Sequence, residues 1–301
     1  MEQLIQQVAS GLANGAIYAS LALALVMIFV STNHINFAQG EMAMFSAYLA
    51  WQLMEWGLNV WLALPLVMAL SFAAGVAIER SILRPLHSAP VLAVVVVFIG
   101  LLTIFHALAG GIWTHTIKAV PSPFPQVTFP GSAYIGSHQL GMIAITIAVL
   151  LALFAFFRFT PLGLAMRAAA QNPASARLAG ISVDWMLALG WGLAAAVGAV
   201  AGCMVAPAVY LEPNMMASIL LYGFAGALVG GISSPGGAVA GGFIVGVLEN
   251  LIAYLGNVIE RATGVYIVGN GEKLTVALVI VIAVLTLKPS GLFGRVTVQR
   301  V

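Results

Sequence analysis

Residues 14–48 read NGAIYASLALALVMIFVSTNHINFAQGEMAMFSAY. No Asp, Glu, Lys or Arg occurs between Glu2 and Glu41, and then His34, Asn36, Gln39 and Glu41 fall within eight positions before the chain turns apolar again. About 20 apolar residues suffice for a helix to cross the hydrocarbon core of a bilayer. A polar cluster at the end of such a run has two physical explanations. It is a return to water, or it is a break at membrane depth whose freed backbone groups are satisfied by protein.

The rest of the chain agrees that its solvent is lipid. Of 301 residues, 62% are hydrophobic and 7% charged, against about 25% charged in a soluble domain. Mean hydropathy is +1.07. A net charge of +2 argues against a nucleic-acid-binding surface. Cys203 is the single cysteine, which excludes an internal disulfide and a multi-cysteine metal site and leaves a small packing residue. The start MEQLIQQVASGLANGA lacks the basic segment of a signal peptide, so the first apolar run reads as a retained span.

Apolar runs occupy roughly 8–30, 42–57, 59–78, 90–113, 139–157, 184–206, 217–233, 236–255 and 273–288. Their length points to helices, because barrel strands alternate over about ten residues. The fold class expected is therefore all-α: one polytopic membrane domain over 1–301, with eight to ten spans, some broken or re-entrant. Arg80 and Arg84 in one loop, Arg158, Arg167 and Arg177 in another, and Lys288, Arg295 and Arg300 in the tail then share one side. Lys118, Arg261 and Lys273 take the other. By the positive-inside rule the richer side is cytoplasmic, with the C-terminus inside and the N-terminus outside. Segment 114–139, with Pro121, Pro123, Pro125 and Pro130, is then an external shaped loop, and 256–272 is external too. Loop 158–183 is cytoplasmic and Ala-rich, and predicts a short helix stopped by Gly180 or an amphipathic connector resting on headgroups.

Small residues set how closely these spans pack. GxxxG spacings occur at Gly11/Gly15, Gly198/Gly202, Gly226/Gly230, Gly237/Gly241 and Gly242/Gly246. In lipid, helices gain no hydrophobic drive from meeting, so faces that let backbones touch become adhesive. Between the third and fourth of these pairs the chain interrupts itself at Ser233, Ser234 and Pro235. Two readings stand: a broken helix of the kind transporters place at a cargo site, or a tight turn between packed helices.

Enzyme chemistry finds no footing. There is no GxxxxGK[ST], HExxH or GxSxG, and the histidines at 34, 87, 106, 115 and 138 are scattered, so no metal site is expected. Carboxylates at membrane depth need a reason, since insertion costs about 2.5–3.5 kcal/mol. Glu55 and Glu79 lie near span ends, where a solvated head is reason enough. Glu249, beside Asn250, reads as an interhelical hydrogen bond or a cargo contact, and Glu41 opens a span. A proton-coupled carrier normally strings such groups into a chain, and here they are scattered.

Residues 14–48 resemble the opening of the branched-chain amino-acid ABC importer permeases, LivH-type subunit, where an INFAHGE-like motif follows the first span. The resemblance continues through IERSILRPL (78–86), GLAMRAAAQNPASARLAGI (163–181), GALVGGISSPGGAVAGGFIVGVLE (226–249) and LTLKPSGLFGR (285–295). Gln39 stands where the family usually has histidine, so no role requiring imidazole is carried over; Gln171 lies where many relatives have an acidic residue nearby.

The resemblance implies a permease half, multi-pass in a bacterial inner membrane, that binds no cofactor itself. Its partners would be a homologous LivM-type permease, two cytoplasmic ATPase subunits using ATP and Mg, and a periplasmic amino-acid-binding protein meeting loops 114–139 and 256–272. Pro173–Gly180, with Arg167 and Arg177 nearby, would be the coupling helix that sits in an ATPase groove. Asn36, Phe37, Gln39, Gly40 and Glu41 would form a kinked segment near the translocation path or, alternatively, a cytoplasmic turn. Branched-chain or other hydrophobic amino acids are the implied cargo, with urea, amides or aromatic acids as alternatives within the family. A stand-alone carrier or channel and a membrane scaffold are the competing classes.

Overall fold

The computed structural model describes residues 2–32, 34–86, 89–127, 135–264 and 272–294. All nine apolar runs are helices. They are α1 (Glu2–Thr32), α2 (Gln39–Glu55), α3 (Val60–Ile78), α4 (Val91–Trp113), α5 (Ser137–Phe159), α8 (Val183–Val209), α9 (Ala217–Gly230), α10 (Pro235–Thr263) and α11 (Lys273–Leu287). Two short helices, α6 (Pro161–Gln171) and α7 (Pro173–Leu178), fill the Ala-rich segment. Among the described residues the one β element is an isolated antiparallel bridge between Lys118 and Leu211. Among the described residues, six helices are long and apolar enough to cross a membrane: 2–30, 60–86, 91–113, 137–159, 183–209 and 235–263. These helices make the chain a multi-pass membrane protein, and α9 and α11 are apolar but shorter. Only 17% of the apolar window of α4 and of α5 is buried inside the chain, which leaves an apolar surface of the kind that lipid or a partner helix covers.

Several boundaries differ from those the sequence suggested. Arg80 and Arg84 do not lie in a loop. A π-helical segment (Glu79–Leu83) and a 3-10 turn (Arg84–Leu86) prolong α3, and its apolar span runs to Leu86. Nor is Glu79 a solvated head, for it is 0% exposed. Helix α10 continues to Thr263, so the first half of the expected loop 256–272 is helical and stops where Gly264 adopts φ +71°. The rest of that loop at 265–271, together with Pro130, His87, Arg295 and Arg300, lies outside the described residues.

The chain divides into two compact units that it threads alternately. One comprises residues 1–23, 124–146 and 218–301. Its cohesion comes from glycine. A Cβ on Gly246 would lie 2.5 Å from the Cα of Gly15, and one on Gly226 would lie 2.7 Å from the Cα of Gly242. Thus α1 and α9 each touch α10 backbone to backbone, the arrangement small-residue faces allow in lipid. Leu292 and Phe293 donate their N–H groups to the carbonyls of Val229 and Gly230, capping the end of α9 that would otherwise be unsatisfied.

The other unit comprises 24–123 and 147–217, and here α8 is packed by α2 and α3. Gly75 of α3 and Gly192 of α8 admit each other's helix: a Cβ on Gly75 would lie 2.7 Å from the Trp191 carbonyl. The hydroxyls of Ser46 and Ser71 join α2 to α3 at 2.8 Å, and Trp113 Nε1 donates to Gln52 Oε1 at 2.9 Å, joining α4 to α2.

Candidate functional site

The polar stretch 34–41 is a break followed by a helix start. Residues 34–38 are irregular, and Gln39, Gly40 and Glu41 form the first turn of α2. Asn36 and Gln39 are both 0% exposed, so every polar atom there needs a protein partner. Asn36 Oδ1 accepts from the N–H of Ala38 at 2.9 Å, closing an Asx turn. Asn36 Nδ2 faces Gln39 Oε1 at 3.4 Å, and Gln39 Nε2 donates to the Ala194 carbonyl of α8 at 3.0 Å. Gly198 and Gly202 of α8 clear the space, since a Cβ on the first would collide with Gln39 Nε2 and on the second with the Ala43 carbonyl. Glu41 is buried and its Oε2 lies 3.3 Å from His106 Nδ1 of α4. Phe37 alone of the five candidates points outward.

The Ala-rich segment is a two-helix elbow whose joints are written in local sequence. Thr160 caps α6 by accepting from Gly163 N, Asn172 caps α7 by accepting from Ser175 N, and proline follows each cap. At the far end Gly180 has φ +81°, its N–H donates to the Arg177 carbonyl, and Ile181 N–H donates to the Ala176 carbonyl. This is a Schellman stop. Ala169, Ala176 and Val183 bury together beneath it, with Ile181 packed against them. Arg167, Pro173, Arg177 and Gly180 are exposed, and Leu178 at the end of α7 is 91% exposed.

One residue at this elbow escaped the sequence reading. Asp184, in the first turn of α8, accepts from Arg84 Nη2 at 3.0 Å and lies 3.7 Å from Arg177 Nη2. Next to it, Arg80 stacks over Trp185 at 4.0 Å. A signal existed: Asp184 is the one aspartate in the chain, at the start of a span where a negative charge suits the helix dipole.

In the glycine-rich unit, Ser233 and Ser234 sit between α9 and α10, and Ser234 Oγ accepts from Gly237 N as the cap of α10. Gly231 reverses the chain with φ +112°. A Cβ on Gly230 would collide with the Gly237 carbonyl and one on Gly241 with the Gly226 carbonyl, so the two helices close tightly around this turn. Further along α10, Tyr18 Oη donates to Glu249 Oε1 at 3.0 Å, and Lys273 Nζ donates to Asn250 Oδ1 at 2.8 Å. These are the interhelical bonds expected of polar groups at that depth. Among the described residues, no group of three or more His, Cys, Asp and Glu side chains is placed to hold a metal.

Comparison with known proteins adds the lineage. Residues 7–287 match the family described as branched-chain amino acid transport system / permease component. The high-affinity branched-chain amino acid transport system permease protein LivH of Salmonella typhimurium is 30% identical, over 99% of this chain and 97% of its own. BraD of Pseudomonas aeruginosa, of the same description, is 30% identical over 99% and 98%. Among solved structures, PsaBC from Streptococcus pneumoniae in complex with Fab aligns over 95% of this chain and 91% of its own, with 14% identity and a TM-score of 0.44. The chain belongs to the permease component family of the branched-chain amino acid transport systems.

Proposed function

We propose that this chain is one transmembrane half of an ATP-driven importer for branched-chain or other hydrophobic amino acids. It pairs with a homologous LivM-type permease, receives cargo from a periplasmic binding protein and sits in a bacterial inner membrane. Its N-terminus is periplasmic and its C-terminus cytoplasmic, as the skew of Lys and Arg suggests. Two separate ATPase subunits bind and hydrolyse Mg-bound ATP, and this chain carries no nucleotide site of its own. The family membership supports the cargo class.

The observation that carries the coupling role is the elbow. Two capped helices end in a Schellman stop and present Arg177 and Leu178 outward, while the buried cluster beneath ties them to α8. A rigid knob on a long helix transmits force, where a flexible loop would absorb it. ATP-driven closure of the ATPases moves α6 and α7, α8 follows, and the permease halves tilt to alternate access. In this reading Asn36, Gln39, Gly40 and Glu41 hold α2 against α8 beside the path, Phe37 faces outward, and Ser233 and Ser234 form a turn of the second unit.

The test is ATP hydrolysis and leucine uptake by the reconstituted complex, comparing wild type with Arg177→Glu/Gly180→Pro. Proline cannot adopt φ +81°, so the stop must rearrange. Both activities are expected to fall at least about tenfold while the subunits still assemble. Unchanged ATP-driven uptake would show that the elbow is a passive connector.

A further inference from the structure

Among the described residues, two that are not glycine have positive φ, and both flank the same feature. Thr114, with φ 66° and ψ 172°, ends α4, and Tyr210, with φ 65° and ψ 153°, ends α8. Backbone of this kind is nearly confined to glycine, and a β-branched or aromatic residue is strained there. Beyond each lies one half of the isolated bridge. Lys118 N–H donates to the Leu211 carbonyl and Leu211 N–H to the Lys118 carbonyl, both at 3.0 Å. Lys118 Nζ also lies 4.6 Å from the centre of the Trp51 ring of α2.

Past the bridge, Val120, Pro121 and Pro123 run across the place where α2 ends, α3 begins and α8 ends. With Ala50, Ala63 and Cys203 they line a cavity of about 20 Å³, room for about one water molecule. Proline fixes φ, so this stretch has little to bend and any movement concentrates at its ends. Strain at two residues is of the same order as the net contribution of two main-chain hydrogen bonds. The closed arrangement is therefore held by little. Undoing the bridge lets Thr114 and Tyr210 return to ordinary backbone.

We infer that residues 114–123 form a strap that lifts from the α2, α3 and α8 ends, released by breaking the Lys118–Leu211 bridge and favoured by relaxation of Thr114 and Tyr210. Lifting uncovers Cys203, which is 9% exposed with the strap down. In the importer proposed above the strap is a gate, and the apolar walls it uncovers suit a hydrophobic side chain. That use rests on the proposed function, whereas the movement itself does not.

Cys203 is the single cysteine of the chain, so its alkylation reports on the strap. The experiment is N-ethylmaleimide modification of the permease within its complex in nanodiscs, read as mass added to this chain over time. Lys118→Pro, which removes one bridge donor, should speed modification roughly three- to tenfold. Thr114→Gly and Tyr210→Gly should each slow it by about threefold or more, since glycine takes this backbone without strain and both side chains are exposed. Gly246→Ala, which overpacks the other unit, should leave the rate unchanged. An acceleration there equal to that of Lys118→Pro would mean that general unfolding exposes Cys203, and overturns the strap. So does faster modification in the glycine variants, or an unchanged rate in Lys118→Pro. For the gate, leucine uptake should fall at least about threefold in Thr114→Gly/Tyr210→Gly while the melting temperature holds or rises. Unchanged uptake with slowed Cys203 modification overturns the gate. Failure of wild type to import leucine would count against the importer reading alone, since the Cys203 rates require no transport.

Discussion

Gln39 reaches from the first turn of α2 to the main-chain carbonyl of Ala194 in α8, and Gly198 is what lets it arrive. A methyl group at 198 would collide with the carboxamide nitrogen. The two positions therefore form one device that sets how α2 sits on α8.

Coupling between them is measurable. Gly198→Ala should displace the Gln39 carboxamide and destabilise the protein by about 1–3 kcal/mol, the usual result of stranding a buried polar group. In a Gln39→Ala background the same substitution should be much milder, giving an interaction energy of roughly 1 kcal/mol or more. Denaturant unfolding of the purified permease in detergent supplies all four corners of the cycle. Simple additivity would mean that the two residues act separately.

Glycines of α10 should differ sharply according to what a methyl group meets. Gly246→Ala would drive a Cβ to within 2.5 Å of Gly15 backbone atoms, with nothing flexible to move aside. Overpacking of this kind costs about 1–3 kcal/mol or more. Gly236→Ala, in the first turn of the same helix, meets open space and should be neutral or stabilising by up to about 1 kcal/mol. Melting temperatures of the two variants decide it, and equal shifts would contradict backbone-to-backbone packing of α1 on α10.

Glu249 offers a test of whether its carboxylate transports or only anchors. Glu249→Gln keeps an acceptor oxygen for Tyr18 and should leave uptake within about twofold of wild type. Glu249→Leu leaves the Tyr18 hydroxyl stranded and should cost about 1–3 kcal/mol of stability. Loss of uptake in a well-folded Gln variant would assign the charge itself a part in transport.

Asp184 should matter more to coupling than to folding. Its ion pairs to Arg84 and Arg177 are largely exposed, and such pairs contribute about 0–1 kcal/mol. Asp184→Asn should therefore leave the melting temperature nearly unchanged while lowering leucine taken up per ATP hydrolysed in proteoliposomes. A large stability loss with normal stoichiometry would make it a folding residue.

Much of the fold was legible because lipid imposes local rules. Every apolar run became a helix, and Gly180 stopped one in the Ala-rich segment, although two short helices stand there in place of the single one expected. The misreadings arose where local rules conflict. Arg80 and Arg84 suggested a loop, yet long basic side chains let a helix run on while their heads reach polar partners such as the Trp185 ring and Asp184. Glu79, immediately before Arg80, is buried, which no count of charges near a span end foretells.

What the sequence by itself determined is the solvent, the helices, their caps and the small faces that could meet, since each depends on residues a few positions apart. The tertiary structure alone decided the partners. Gln39 with Ala194, Tyr18 with Glu249, and Arg84 with Asp184 are each a hundred or more positions apart. Hydropathy states only that a buried polar group must find a partner; which one it finds depends on the rotation and depth of two packed helices, a property of neither helix alone.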